Sequence, residues 1–185
     1  MTDVRPWPAG PEELLLESRI LRITEREAWS PVDAARRGRF LRLRHPRWVN
    51  IIARTADGDV VFVEQYRHGT ESVTLEIPGG LVDEGEDPLE AAVRELREET
   101  GFVGGRASLL GSVQVNPAIQ DNRCWTALID GCRPEGAQDL DEHEEIAVHL
   151  HPQASLPELV RSGTVAHSLV IAAFHLLHLQ ESTRE

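Results

Sequence analysis

Residues 79–102 read GGLVDEGEDPLEAAVRELREETGF, and their pattern decides how the rest of the chain is read. The two glycines predict a tight turn, the acids after them a loop, and the remainder an amphipathic helix. Asp87 suits an N-cap, Pro88 the first helical position and Gly101 the position just past the end. Leu89, Ala92, Val93 and Leu96 fall at i, i+3, i+4 and i+7, an apolar stripe expected to face a core. Glu95, Glu98 and Glu99 repeat that spacing beside it. At about 100° per residue, the three carboxylates leave one side of the helix, Glu99 nearest the buried face.

Carboxylates so placed repel one another, and only Arg94 and Arg97 are near enough in sequence to relieve them. A helix of this kind is ordinarily a solvated, salt-bridged surface. A cation would turn the repulsion into a binding site, and oxygen donors on a rigid helix suit Mg²⁺ or Mn²⁺.

The spacing narrows the choice. Gly80, five residues, Glu86, seven residues, Arg94-Glu95-Leu96, one residue, Glu98-Glu99, one residue, Gly101-Phe102: this resembles the Nudix box, with every fixed position filled over 23 of the 185 residues. The resemblance implies hydrolysis of a nucleoside diphosphate linked to another moiety. It implies a divalent metal, Mg²⁺ with Mn²⁺ as the alternative, held by Glu95 and Glu99 with Glu98 close by and the Gly80 carbonyl as a further donor. A glycine there lets backbone approach an ion. Arg94 is read as a partner of the box carboxylates and Glu86 as a support of the helix.

The whole chain is compatible with this. A length of 185 residues suits one compact domain with a sizeable core. Apolar content of 41% and charged content of 27% are ordinary for a globular protein. No apolar run approaches 18 residues, and the N-terminus has no apolar signal core. Two cysteines make neither a disulfide framework nor a zinc site. The expectation is a cytoplasmic protein. The net charge of −12 argues against nucleic-acid or anionic-membrane partners. The acid is concentrated: residues 83–99 hold eight acids and two arginines, and residues 139–145 five acids and no lysine or arginine. All 19 basic residues are arginine, so a P-loop lysine and lysine Schiff-base chemistry are excluded.

Taken in order, residues 1–17 are expected as a flexible arm and 18–45 as an antiparallel strand pair. Residues 46–181 are expected as the main domain. Within it, 48–54 and 60–66 read as strands joined by a hairpin turn at 56–59, and 74–77 as a short strand. Residues 107–115, 124–130 and 146–150 follow as strands, 156–163 as a short helix and 165–179 as a longer one. Leu169, Ala172, Ala173, Leu176 and Leu179 recur at helical spacing along that last helix. Strands on both sides of one helix, with helices at the end, give an α+β fold, an α/β/α sandwich. The Nudix resemblance implies the same: a mixed β-sheet between helices.

The resemblance extends beyond the box toward the ADP-ribose pyrophosphatase and nucleoside diphosphate sugar hydrolase subgroup. It is carried by Pro117, sixteen residues past Gly101, and by Val63-Glu64-Gln65-Tyr66-Arg67 and Leu75-Glu76-Ile77-Pro78-Gly79-Gly80. The acidic segment Asp141-Glu142-His143-Glu144-Glu145-Ile146 belongs with them. It implies a homodimer through the N-terminal strand pair, and ADP-ribose or a related nucleoside diphosphate sugar as substrate, cleaved to a nucleoside monophosphate and a sugar phosphate. Glu142 and Glu144 are the candidates for a general base, beside Glu98 among the catalytic carboxylates. Arg67 is expected to contact phosphate or sugar, and Glu76 ribose or a metal from its outer shell. Arg123 is a phosphate candidate, and Trp48 a stacking platform for a base. Where many relatives carry Ser-Pro-Gly, this chain has Asn116-Pro117-Ala118, which leaves the sugar and nucleoside open. His149, His151, His175 and His178 lack the spacing of metal ligands and are read as surface or partly buried residues. The competing function is a non-catalytic sensor that binds ADP-ribose or a nucleotide sugar. Such modules lose a box glutamate, and this chain keeps them all.

Overall fold

The computed structural model describes residues 4–183. They form two compact units. The first comprises residues 4–46 with Gln114–Asn122. Its sheet has the order β1-β2-β3, with β1 Glu13–Glu17, β2 Arg22–Trp29 and β3 Arg37–Arg44, all antiparallel. Two strands were expected, with residues 13–17 part of a flexible arm. Instead Glu13-Leu14-Leu15-Leu16-Glu17 adds a third strand to the edge of β2. Ion pairs of Glu13 and Glu17 with Arg39 and Arg22 hold it there. The segment before β10 also belongs to this unit: the Leu43 amide donates to the Ile119 carbonyl at 2.7 Å, and Arg42 and Arg44 both pair with Asp121.

The second unit carries the remaining strands: β4 Arg47–Thr55, β5 Asp59–Arg67, β6 Ser72–Glu76, β7 Gly79–Val82, β8 Phe102–Val103, β9 Arg106–Gln114, β10 Arg123–Pro134 and β11 Ile146–Pro152. They form one mixed sheet of order β11-β5-β4-β10-β8, with β6 on β5, β7 on β4 and β9 on β10. β4 and β10 run parallel, Ile51 opposite Ala127, while β5 pairs antiparallel with β11 and β6. Helix α1 Pro88–Thr100 lies on one face and α2 Leu156–Arg161 and α3 Ser168–Ser182 on the other. Alternation along the strands sorts the core: Val49, Ile51, Ala53, Val61 and Ile129 pack with Ala91, Ala92 and Leu96 of α1. Ile52, Phe62 and Leu128 pack with Leu156, Val170, Ala173 and Leu177. This is the expected α/β/α sandwich. No helix among the described residues is long and apolar enough to cross a membrane.

Three expectations need correction. Gly79 and Gly80 are not a turn: they open β7, with Gly80 opposite Val49 and Gly79 opposite Asn50. The buried side of α1 keeps Ala92 and Leu96 of the expected stripe, with Leu89 packed against the core, but takes Ala91 in place of Val93. Val93 is 51% exposed, while Ala91, Ala92, Leu96, Glu99 and Thr100 are buried. The small alanines let the helix approach the sheet, and the rotation that uses them turns Glu95 and Glu99 toward β7. Helix α3 starts at Ser168 rather than at 165, and Val170, Ala173 and Leu177 form its inward face. It is apolar on nearly every side as far as Leu179, so periodicity alone could not fix its phase.

Candidate active site

Helix α1 begins as its caps dictate. The Asp87 carboxylate accepts from the Leu89 amide at 2.8 Å, Pro88 takes the first position, and Gly101 closes the helix at φ 70°. Arg94 organises the loop before it: the guanidinium donates to both oxygens of Glu86 (3.0 Å each) and to the Leu81 carbonyl. It donates as well to Glu95 (2.9 Å) and Glu98 (3.1 Å). Glu86 in turn accepts from the Asp83 amide. Arg94 and Glu86 therefore brace the acidic loop, as expected.

Glu99, 5% exposed, accepts the Gly79 amide at 2.9 Å. Burial pushes its carboxyl up to about 8. The Gly79 bond opposes the rise, and the charges of Glu95 and Glu144 add to it. Burial likewise pushes Glu95 up to about 7, against Arg94 and with help from Glu98 and Glu144. Gly80 faces Glu95 so closely that a Cβ there would overlap the Glu95 carboxylate. Among the described residues no three His, Cys, Asp or Glu side chains already converge as a metal cluster. The donor set fits a hard cation: one buried and one half-buried carboxylate, and a side-chain-free backbone beside them. Gly80, Glu95 and Glu99 are the residues that would hold it, with Glu98 beside them.

On the strands beyond, Arg67 and Glu76 form a two-pronged pair, Nε to Oε1 at 2.9 Å and Nη2 to Oε2 at 3.0 Å. Glu76, 4% exposed, also accepts from Thr74 at 2.7 Å and pairs with His167 Nδ1 at 2.8 Å. Burial disfavours its charge, but His167, Arg67 and Thr74 outweigh that and hold the carboxyl well below the usual range. Both Glu76 oxygens are thus engaged by Arg67, Thr74 and His167. Burial lowers the pKa of Arg67, yet the pair with Glu76 and the charges of Glu99 and Glu144 raise it overall.

The acidic loop joins this group from the other side. Gln138 donates to the Glu99 and Ile146 carbonyls, and the Asp139 amide donates to the Glu98 carbonyl. The Glu144 charge acts on Glu95, Glu99 and Arg67. The structure so brings together Gly80, Glu95, Glu98 and Glu99, with the Arg67–Glu76 pair on the strands beyond and Glu144 in the loop tied to the end of α1. Trp48 lies on β4 opposite Leu81, and its partner Asn50 lies opposite Gly79. Arg123 donates to Ser112 at 3.1 Å, and the Trp48 indole donates to Asn50 at 2.9 Å. His149 pairs with Glu64 at 2.9 Å. Thr74, His167 and Gln138 escaped the sequence reading. No period or motif marks them: His167 lies 91 residues from Glu76.

The NUDIX domain pattern matches residues 44–173. A methanol dehydrogenase activator of Bacillus methanolicus is 34% identical over 144 residues, 77% of this chain and 77% of that protein. An ADP-ribose pyrophosphatase of Bacillus subtilis (strain 168) is 30% identical over 141 residues, 76% of each chain. A solved ADP compounds hydrolase shares the fold with a TM-score of 0.87, covering 100% of this chain and 98% of its own at 22% identity.

Proposed function

The chain belongs to the NUDIX family and is a Nudix hydrolase, and from that premise we propose that it cleaves the diphosphate bond of ADP-ribose or a related nucleoside diphosphate sugar. The products are a nucleoside monophosphate and a sugar phosphate. The observation that carries this reading is the placing of two α1 carboxylates with raised pKa values on the glycine backbone that opens β7, half-buried Glu95 against Gly80 and buried Glu99 on the Gly79 amide. The ADP-ribose pyrophosphatase relative supports the choice of substrate class.

Gly80, Glu95 and Glu99 would hold a divalent cation, Mg²⁺ before Mn²⁺. Bound there, it supplies Lewis-acid neutralisation of the diphosphate oxygens and lowers the pKa of water. The protein's own part is positioning and proton transfer. Glu144, a carboxylate facing the α1 acids, takes a proton from the attacking water as its oxygen adds to one phosphorus. The bridging oxygen leaves with the other phosphate. Arg67, stiffened by Glu76, offers its remaining N–H groups to a phosphate. Arg94 holds Glu95 and Glu98 in register, a positioning role. Trp48 and Arg123 remain candidates for the nucleoside and the distal phosphate. We place the protein in the cytoplasm as a homodimer through the N-terminal sheet. That sheet exposes Leu14, Leu16, Phe40 and Leu41, and the two cysteines are free and buried.

The test is a panel of ADP-ribose, ADP-glucose, GDP-mannose and UDP-glucose with Mg²⁺ or Mn²⁺, read as phosphate after coupled phosphatase. Release of AMP from ADP-ribose is expected. No turnover of any of the four would overturn the reading and favour the sensor.

A further inference from the structure

Residues 139–145 carry five acids and lie against a helix end that presents Glu95, Glu98 and Glu99. Like charges push these two elements apart, so the position of Glu144 needs an explanation. The contacts between them are hydrogen bonds to the C-terminal carbonyls of α1, which lack partners inside the helix. The amides of Glu135 and Gly136 both donate to Gly101 O, at 2.9 and 3.2 Å, and Asp139 N donates to Glu98 O at 2.8 Å. Gln138 adds the one side-chain clamp. Its Nε2 donates to Glu99 O at 2.6 Å and to Ile146 O at 3.1 Å. Both neighbours are carbonyl oxygens, so the NH₂ end must face them. One uncharged group thus ties the backbone of a candidate metal ligand to the first residue of β11, and the acidic loop is strung between Gln138 and Ile146. Within the loop, Glu144 N donates to Asp141 O at 3.0 Å and Asp141 N to Glu144 Oε2 at 3.1 Å, which orients the carboxylate.

We propose that Gln138 is a positioning residue that holds the 139–145 loop, and with it Glu144, against the carboxylates of α1. This rests on reading Glu144 as the general base. An amide suits the task because it supplies two donors without adding a charge. A lysine or arginine there would neutralise the carboxylates it is meant to align, and an acid would repel them.

The experiment uses the full chain and whichever nucleoside diphosphate sugar the panel shows to be cleaved. Gln138→Met keeps the bulk and removes both donors. It is expected to lower kcat about 10- to 100-fold, the size of a misplacement near 1 Å, with KM within about twofold. Amide hydrogen exchange across residues 139–146 should rise, also in metal-free protein, and the midpoint of global unfolding should change little. In a Glu144→Gln background the same substitution should cost almost nothing more, since there is no base left to misplace. Equal losses in both backgrounds, or a raised KM at unchanged kcat, overturn the positioning role and leave Glu144 as the base. A Glu144→Gln variant with wild-type kcat removes the base assignment itself and the proposal with it. Unchanged exchange in the loop overturns the clamp independently of activity.

Discussion

Glu99 Oε2 accepts a hydrogen bond from the Gly79 amide at 2.9 Å, which ties the most buried carboxylate of α1 to the first residue of β7. The bond fixes the helix against a strand whose next residue, Gly80, meets the end of the Glu95 side chain. Both candidate metal donors of α1 are set by this contact and by the rotation of the helix on Ala91 and Ala92.

Glu99→Gln should keep the fold, because burial already pushes this carboxyl up to about 8 and a neutral amide is easier to bury than its charged form. Catalysis should fall by about 10²–10³-fold, the size seen on losing one preorganised electrostatic group. Circular dichroism with steady-state kinetics checks both. A variant that is folded and fully active would remove Glu99 from the site.

Glu144→Gln should lower kcat by about 10²-fold or more, the contribution of a general base, and Glu142→Gln by less than about threefold. The distinction comes from the Glu144 charge acting on Glu95, Glu99 and Arg67 together. Reversed results would move the base two residues along the loop.

Glu76→Gln should destabilise the protein by about 2–3 kcal/mol at neutral pH, since it leaves Arg67, one-third exposed, without its two-pronged partner. The folded-state pKa of Glu76 lies below its unfolded value of 4.5. Its stabilisation is therefore complete above pH 4.5 and declines as pH falls toward the folded value. The gap in unfolding free energy between wild type and variant, followed by urea denaturation, should shrink on acidification below pH 4.5. A constant gap would mean that the pair is not ionic.

Two glycine-to-alanine changes should behave differently. At Gly80 the new Cβ meets the end of the Glu95 side chain, which can swing away, so activity should fall more than stability. At Gly101 it meets the Gly136 carbonyl of the backbone while φ is 70°, so about 1–3 kcal/mol of stability should be lost as well. Thermal melts and kinetics on the same two preparations decide this.

Much of the fold was legible in the chain. Strands β4, β5, β10 and β11 show up as apolar runs or alternation, and Asp57-Gly58 marks the hairpin between the first two. Asp87, Pro88 and Gly101 gave the ends of α1. Where the reading failed, local patterns were degenerate. Leu89 and Val93 are more apolar than Ala91, so the stripe looked rotated. Residues 169–179 are apolar all round apart from two histidines, so no phase stood out. Glycines that permit a close approach within a strand look the same in sequence as glycines that make a turn.

The sequence by itself determined the family, the ends of α1 and the main strands β4, β5, β10 and β11, because caps, periodicity and motif spacing act over a few neighbouring residues. Only the tertiary structure decided that Glu76 pairs with Arg67 and His167, and that Gln138 donates to the carbonyls of Glu99 and Ile146. These are contacts across 8 to 91 residues, set by strand pairing and helix rotation. Such contacts leave no period in the chain to read.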